Sequence, residues 1–535
     1  MSLSRMTIFG TLQTPQLAAL CLILAFFVWG CYGLTSFPGF NLDEPTVVDA
    51  ALTTLDQGRL AIPSAGPGSE HDRAYEYQTP LHALVLAVWF KVTTPSLWAG
   101  RFLSLLLAVL ALVQIYLAMA RFGPFAQFTA VAFLCLDPFF SGHARLIRYD
   151  WIAINGVLFA FYVLFCANQE ATSTKVAVRA VVAGAATGIA IDAHALYVVF
   201  LPVMGGLILA LPLAPRQRVF SRFVTAFCFG VACLAVLSPV ILYIAAHQEA
   251  IRGQLLYQIL QRRAPLYSGN WLVAEGHKYF DYYKRAPLLL VSIVVFAGLT
   301  ARWITIIFRT KDLGRSAETM VAARLLFAGV LLPVVLACVS GHYPWHHLMV
   351  APIWAMLAGT AWYVFPASGA RSRTRPAMLL LLGFTVVSAG ATTLDRAILA
   401  LQGGESRQIG PVAAQITNLI PPGSLVYGDY RMIFLAHQEK WRFVALYVDL
   451  DQDTDALGRT PFEYLVLSDV TGIPGWLDLS RYVRVGEVSA PSPRFALPKA
   501  YTRFVGGVSL PYNAPVRLDI YRLCFPVCGS NTAGN

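Results

Sequence analysis

Two adjacent carboxylates, Asp43 and Glu44, head the stretch FNLDEPTVVDAALTTLDQGRLAIP, directly after the first long apolar run of the chain. A third, Asp150, lies near the end of SGHARLIRYDW, behind His143, Arg145 and Arg148. Further on, Arg262 and Arg263 stand in QRRAPLYSGNW, and Tyr282 and Tyr283 in HKYFDYYKRA. A positioned carboxylate can take a proton from a hydroxyl. Arginine suits phosphate, because its planar fork can bind two oxygens at once. The histidines offer a metal spacing: His342, His346 and His347 include an i, i+4 pair, and His277 with Glu76 makes a second, weaker set. Each group also has a structural use. Asp43, two residues before Pro45, fits a helix cap, and Asp150 can simply pair with Arg148. Arg262 and Arg263 can contact lipid headgroups, and outer-face histidines capping a helix are commoner than metal ligands.

The elements that must position these groups are membrane helices. Hydrophobic residues make up 57% of the 535, mean hydropathy is +0.59, and charged residues are 13%, about half the roughly 25% usual in soluble domains. No soluble core needs so much apolar surface, so the chain reads as a polytopic membrane protein. The net charge of +11 is carried largely by clusters between apolar runs, so topology accounts for it and a nucleic-acid partner is not expected. Seven of the nine cysteines (21, 31, 135, 166, 228, 233, 338) lie in or beside apolar runs, as small core residues do.

Eleven segments are long and apolar enough to span: 15–36, 97–119, 124–141, 150–168, 176–194, 195–213, 219–246, 287–308, 321–340, 345–366 and 377–401. The run 81–94 is short, contains Lys91, and reads as a helix in the interface. With that run excluded, five basic loops fall on one side, carrying Arg121; Lys175 and Arg179; Arg216, Arg218 and Arg222; Arg309, Lys311 and Arg315; and Arg371, Arg373 and Arg375. Short basic loops stay cytoplasmic, so the N-terminus is inside. The first loop (37–96), Asp150, the loop 247–286 and everything after 401 are outside. Val47, Val48, Ala51, Leu52 and Leu55 recur at helical spacing, which predicts an amphipathic helix over 45–57 on the membrane surface, ended by Gly58. Beyond 402 the pattern changes. Residues 407–418 read as helix, and PPGSLVYGDY, FVALYVDL, FEYLVLSD, YVRVGEVS and VRLDIYRL read as strands. The expected architecture is a transmembrane module over 1–402 and a small extracytoplasmic α/β domain over 403–535.

Read in order, the Asp-Glu pair, the amphipathic helix, Tyr75-x-x-x-x-Pro80-Leu81, the interfacial helix and Arg101 resemble the first outer loop of a known enzyme family. The similarity continues through RYD, GAATGIAIDAHALYVVFLP, QRR…HKYFDYY and GHYPWHHLMVAP, covering most of 38–366. The family is the polyprenyl-phosphate-sugar-dependent glycosyltransferases of the GT-C superfamily, among them bacterial lipid A aminoarabinose transferases and protein O-mannosyltransferases. The resemblance implies an enzyme of the cell inner (plasma) membrane. It would move a sugar from a polyprenyl-phosphate donor to a lipid, glycan or protein hydroxyl, inverting, with no obligatory cofactor and a divalent metal possible. It implies Asp43 as base, with Asp150 and Glu44 as the other catalytic carboxylates. Donor contacts would come from Arg101, Arg145, Arg148, His194, Arg262, Arg263, Tyr282, Tyr283 and His342, and metal candidates are Glu76, His277 and His346. Two departures stand out: the family often has Lys where Gln78 stands, and Lys-Gly where His194-Ala195 stand. The sugar is therefore open. Two other readings are a transporter or flippase, and an O-antigen polymerase or ligase. The first usually shows repeated halves and mid-membrane charges, which this chain does not display.

Cys524 and Cys528 are the only cysteines in the polar, outward-facing tail, and an oxidising compartment favours their pairing. The topology is checked by single cysteines introduced into a Cys-free variant. Leu60→Cys and Leu450→Cys should react with an impermeant thiol reagent in intact cells, and Gln217→Cys should not. Labelling at 217 with protection at 60 would invert the whole scheme.

Overall fold

The computed structural model describes residues 13–36, 40, 43–72, 75, 78–166, 173–210, 219–248, 277, 287–310, 317–339, 347–367, 371–445, 452–468, 472–494 and 516–524. Glu76, Arg262, Arg263, Tyr282, Tyr283, His342, His346 and Cys528 lie outside the described residues.

The chain runs through α1 (Thr14–Cys31), α2 (Asp43–Gln57), α3 (Leu81–Val92), α4 (Leu97–Met119), α5 (Pro124–Leu136), α6 (Pro138–His143) and α7 (Asp150–Phe161). It continues through α8 (Ser173–Ala193), α9 (Phe200–Ala210), α10 (Val219–Ala246), α11 (Pro287–Thr310), α12 (Ala317–Val339), α13 (His347–Ala367) and α14 (Arg371–Gly403). Five of these, α1, α4, α8, α10 and α12, are long and apolar enough to cross a membrane. All eleven expected segments are helical in whole or in part, though 124–141 breaks at Asp137 and 150–168 ends in a π-turn at Tyr162–Cys166. The outside of the bundle is apolar: Phe220 and Phe227 are 78% and 72% exposed, and Leu24 and Leu242 exceed 60%. In water such a surface would aggregate, and in lipid it is the favoured one.

Glycines set the closest helix contacts. Gly184 and Gly188 of α8 form a GxxxG pair, and a Cβ on them would lie 2.1 Å from the Phe229 carbonyl oxygen and 2.9 Å from that of Cys233, both on α10. On the other side, a Cβ on Gly156 of α7 would lie 2.7 Å from the Ala186 carbonyl oxygen. Helices without side chains in the way can touch backbone to backbone. α8 is thus held between α7 and α10, which brings the start of α7 (Asp150) beside the end of α8 and His194.

The loop 37–96 differs from expectation in one respect. α2 begins at Asp43, and every residue from Asp43 to Thr53 is buried. Over Asp43–Thr53 it has no open face: α3 covers one side, and the C-terminal segment covers the other. Gly58, at φ +67°, ends the helix, its N–H bonding the Thr54 carbonyl at 3.1 Å. α3 has 12 residues, about 18 Å of helix, too short for a bilayer core of about 30 Å.

Beyond Gly403 come α15 (Ala413–Leu419), β1 (Leu425–Gly428), α16 (Ile433–Gln438), β2 (Arg442–Ala445), α17 (Thr454–Arg459), β3 (Tyr464–Ser468), β4 (Tyr482–Ser489) and β5 (Arg517–Leu523). All five expected strands are present. They form one sheet in the order β2-β1-β3-β5-β4, with β2, β1 and β3 parallel and β5 antiparallel to both of its neighbours. Val466 and Ile520 of the sheet share one apolar core with Val47 of α2 and Phe90 of α3. Asp49 of α2 accepts from the Ser64 N–H at 2.8 Å and from its hydroxyl at 2.5 Å. Ala65, the next residue, accepts from Gln452 at 2.9 Å. Cys524 follows β5, its N–H bonding the Arg481 carbonyl.

A buried ion pair ties these layers together. Arg101 of α4 grips Glu44 with Nε to Oε1 at 2.8 Å and Nη2 to Oε2 at 2.7 Å, both side chains having no exposure. Its Nη1 donates to the Leu34 carbonyl at 2.8 Å, and Glu44 Oε1 also accepts from the Ile147 N–H at 2.9 Å. Removing one partner of such a pair strands the other charge, at about 3–5 kcal/mol. Glu44→Gln should therefore lower the apparent melting temperature sharply, and adding Arg101→Met should recover part of the loss. A harmless single replacement would contradict the bracing role. Asp49 offers a pH test. Burial raises its carboxyl to about 6, with the Ser64 hydrogen bonds opposing. A folded value above the unfolded one of about 3.9 means stability is lost as pH rises through 4 to 6. Asp49→Asn should thus melt above the wild type at pH 7.5, the gap closing near pH 4. A gap independent of pH would exclude that ionisation.

Candidate active site

Where α2, the Arg145–Tyr149 segment, α7 and the end of α8 converge, one guanidinium joins two carboxylates. Arg148 donates through Nη1 to Asp43 Oδ2, and through Nε to Asp150 Oδ2 at 3.0 Å, with Nη2 also 3.0 Å from that oxygen. Asp150 in turn holds His194, whose Nδ1 is 3.1 Å from Oδ1. Arg148 and Asp150 have no side-chain exposure, while Asp43 keeps 12%. Aromatic rings wall the cluster. Arg148 lies 4.8 Å from the Tyr149 centroid, and the His194 ring is 4.4 Å from Tyr149 and 5.5 Å from Tyr197.

Local sequence explains these placements. Helix spacing turns adjacent residues about 100° apart, so Asp43 points to Arg148 while Glu44 points to Arg101. His194 precedes the short 3₁₀ turn Ala195–Val199, with extended backbone at φ −155°, and so leaves the α8 axis. With Asp150 oriented by Arg148, the imidazole Nδ1 is fixed toward the carboxylate, and Nε2 is its other polar atom.

The sequence-predicted residues fall into three groups. Asp43, Asp150, Arg148 and His194 come together in one cluster. Glu44, Arg101 and Arg145 stand beside it in bracing roles. Arg145, 4% exposed, donates to the Tyr32 carbonyl at 2.5 Å, at the end of α1. His277 is exposed, and the rest of the set lies outside the described residues. Their neighbour His347 pairs with Asp137 at 2.9 Å, and Asp137 also accepts from the Phe139 and Phe140 N–H groups at the start of α6. Among the described residues no three His, Cys, Asp or Glu side chains are grouped to hold a metal.

Sequence reasoning missed the ring side chains at the cluster's edge. His82, on α3, reads as one residue of an apolar helix, yet it is 1% exposed and lies within electrostatic reach of Asp150, Arg148 and His194. Tyr197 sits inside an apolar span and was equally silent. Tyr75 was visible only as part of a spacing.

No protein-family model matches the chain, and no curated protein sequence does. Solved structures do. ArnT from Cupriavidus metallidurans bound to undecaprenyl phosphate superposes with a TM-score of 0.58 at 17% identity, covering 89% of this chain and 97% of that one. Its apo state gives 0.54 at 15% identity over 85% and 92%. The arabinofuranosyltransferase AftD from Mycobacteria gives 0.51 at 15% identity, covering 96% of this chain and 40% of that one. At such identities the likeness speaks for architecture: the chain has the fold of these GT-C glycosyltransferases, as its sequence resemblance implies.

Proposed function

We propose that this protein is a membrane glycosyltransferase that moves a sugar from a polyprenyl-phosphate donor to an acceptor hydroxyl at the outer face of the cell inner membrane. The topology is the eleven-span arrangement with a cytoplasmic N-terminus, a module over 1–402 and an extracytoplasmic segment over 403–535. The observation that carries the chemistry is the difference among three neighbouring carboxylates. Glu44 and Asp150 have no exposure, and Asp43 alone keeps an open edge. Only a carboxylate that can be reached can take a proton from an incoming hydroxyl.

Asp43 accepts the acceptor's proton as its oxygen attacks the anomeric carbon, and the bond from that carbon to the phosphate oxygen breaks. Polyprenyl phosphate leaves with the electron pair. One attack with no covalent intermediate inverts the anomeric centre. The departing phosphate already bears charge, so it needs positive groups rather than an acid. Arg148 is engaged by two carboxylates and Arg101 by Glu44, so we assign these two to positioning. The phosphate contacts are assigned to Arg262, Arg263, Tyr282, Tyr283 and His342. Arg145 and His194 are assigned a supporting part in donor binding. The undecaprenyl phosphate bound by ArnT and the outward placement that the one-sided basic loops predict for the cluster both support this reading.

Purified protein incubated with a polyprenyl-phosphate sugar and an acceptor extract should release polyprenyl phosphate. Asp43→Asn keeps the size of the side chain and removes the base. Turnover should fall by about 10²-fold or more, while donor affinity persists. Near-normal turnover in this variant would remove Asp43 from the role.

A further inference from the structure

His82 is the second residue of α3, and neither of its ring nitrogens has a hydrogen-bond partner among the described residues. The first turn of α3 docks on the end of α8. The Thr79 hydroxyl donates to the Ile191 carbonyl at 3.3 Å, and the Leu81 N–H bonds Asp192. His82 there lies within electrostatic reach of Arg148, Asp150 and His194, and burial holds its imidazole neutral, lowering it to about 3. Two phenols share its situation. The hydroxyls of Tyr75 and Tyr197 are buried, 1% and 0% exposed by residue, and neither has a hydrogen-bond partner among the described residues. Tyr75 neighbours Asp43 and Tyr149, and Tyr197 neighbours Asp150 and packs on His194.

A buried polar atom without a partner is costly and uncommon in folded proteins. Three such side chains around one ion cluster imply a ligand that satisfies them. Neutral imidazole donates from one nitrogen and accepts at the other, and a phenol does both. That is the complement of a hydroxyl, which also does both. It is not the complement of an ammonium or a carboxylate, and the charged groups nearby already face one another.

We propose that His82, with Tyr75 and Tyr197, binds the hydroxyls of the transferred sugar, and that this sugar is a neutral pentose or hexose rather than an amino sugar. The inference rests on the glycosyltransferase reading above. A site built to hydrogen-bond a hydroxyl discriminates strongly against groups that leave its polar atoms unpaired.

The test uses full-length protein with decaprenyl phosphates carrying a neutral pentose, a neutral hexose or a 4-amino pentose, and with bare decaprenyl phosphate. Wild type should turn over a neutral donor in preference to the amino pentose. His82→Phe keeps a ring and removes both nitrogens. Its kcat/KM for the neutral donor should fall about tenfold or more, with affinity for bare decaprenyl phosphate unchanged. Its apparent melting temperature should hold or rise, because no nitrogen is left unsatisfied. His82→Asn, which restores a donor and an acceptor, should recover part of the turnover. A His82→Phe protein that loses thermal stability and bare-phosphate affinity together would make the residue structural. Wild-type kcat/KM in that variant, or wild-type preference for the amino pentose, would overturn the assignment while leaving the transferase standing. Release of decaprenyl phosphate from none of the donors would bring down both.

Discussion

A guanidinium with no contact with water is costly unless its charge is paired. Arg148 is in that position, between Asp43 and Asp150, and much of the architecture follows from keeping it there. Asp150 belongs to α7, which Gly156 lets approach the backbone of α8. Asp43 belongs to α2, which Glu44 locks to α4 through Arg101. Moving either helix away would leave a charge stranded in a dry site, at a cost of several kcal/mol. The close glycine contacts between the helices and the second ion pair therefore serve the same end.

The adjacent acids Asp43 and Glu44 illustrate how helix geometry divides labour. They are one residue apart, yet their side chains meet different arginines from different segments. Glu44 has both oxygens gripped and a backbone N–H besides, so it works as a joint. Asp43 is held by a guanidinium and retains an open edge. Two carboxylates that look interchangeable in the sequence become a brace and a candidate base.

Much of the fold was legible in the sequence because its signals are local. Apolar length marked the helices, Pro and Gly turns around apolar runs marked β1, β2 and β3, alternation marked β4 and β5, and Lys91 with the shortness of 81–94 marked α3 as a helix that does not span. What was not legible depends on partners distant in sequence. Arg101, Arg145 and Arg148 all looked suited to phosphate; the pairing of Arg148 with Asp150, two residues on, could be read locally, but nothing in their neighbourhoods reveals that Glu44, the Tyr32 carbonyl and Asp43 engage them as well. α2 reads as amphipathic from its own spacing, and it is the sheet more than 350 residues later in the chain that closes its second face. His82 carried no signal, since a lone histidine in an apolar helix has many ordinary explanations. Its meaning comes only from the nitrogens that find no partner among the described residues.

That distant sheet bears on the site directly. In open parallel sheets, ligands usually gather at the carboxyl ends of the strands. Here the end of β1 makes a docking surface instead. Asp429 fixes the turn after it, accepting from the Arg431 N–H and Nε at 2.9 Å each and from Nη2 at 2.7 Å. Tyr430, inside that turn, packs its ring 6.1 Å from Phe40, and Phe434 of α16 lies 6.3 Å from Phe40 and 6.0 Å from Phe90 of α3. Phe40 is three residues before Asp43. The rigid turn of the sheet thus presses on the chain just where it enters α2, so the position of Asp43 is set from above by the sheet as well as from below by Arg148.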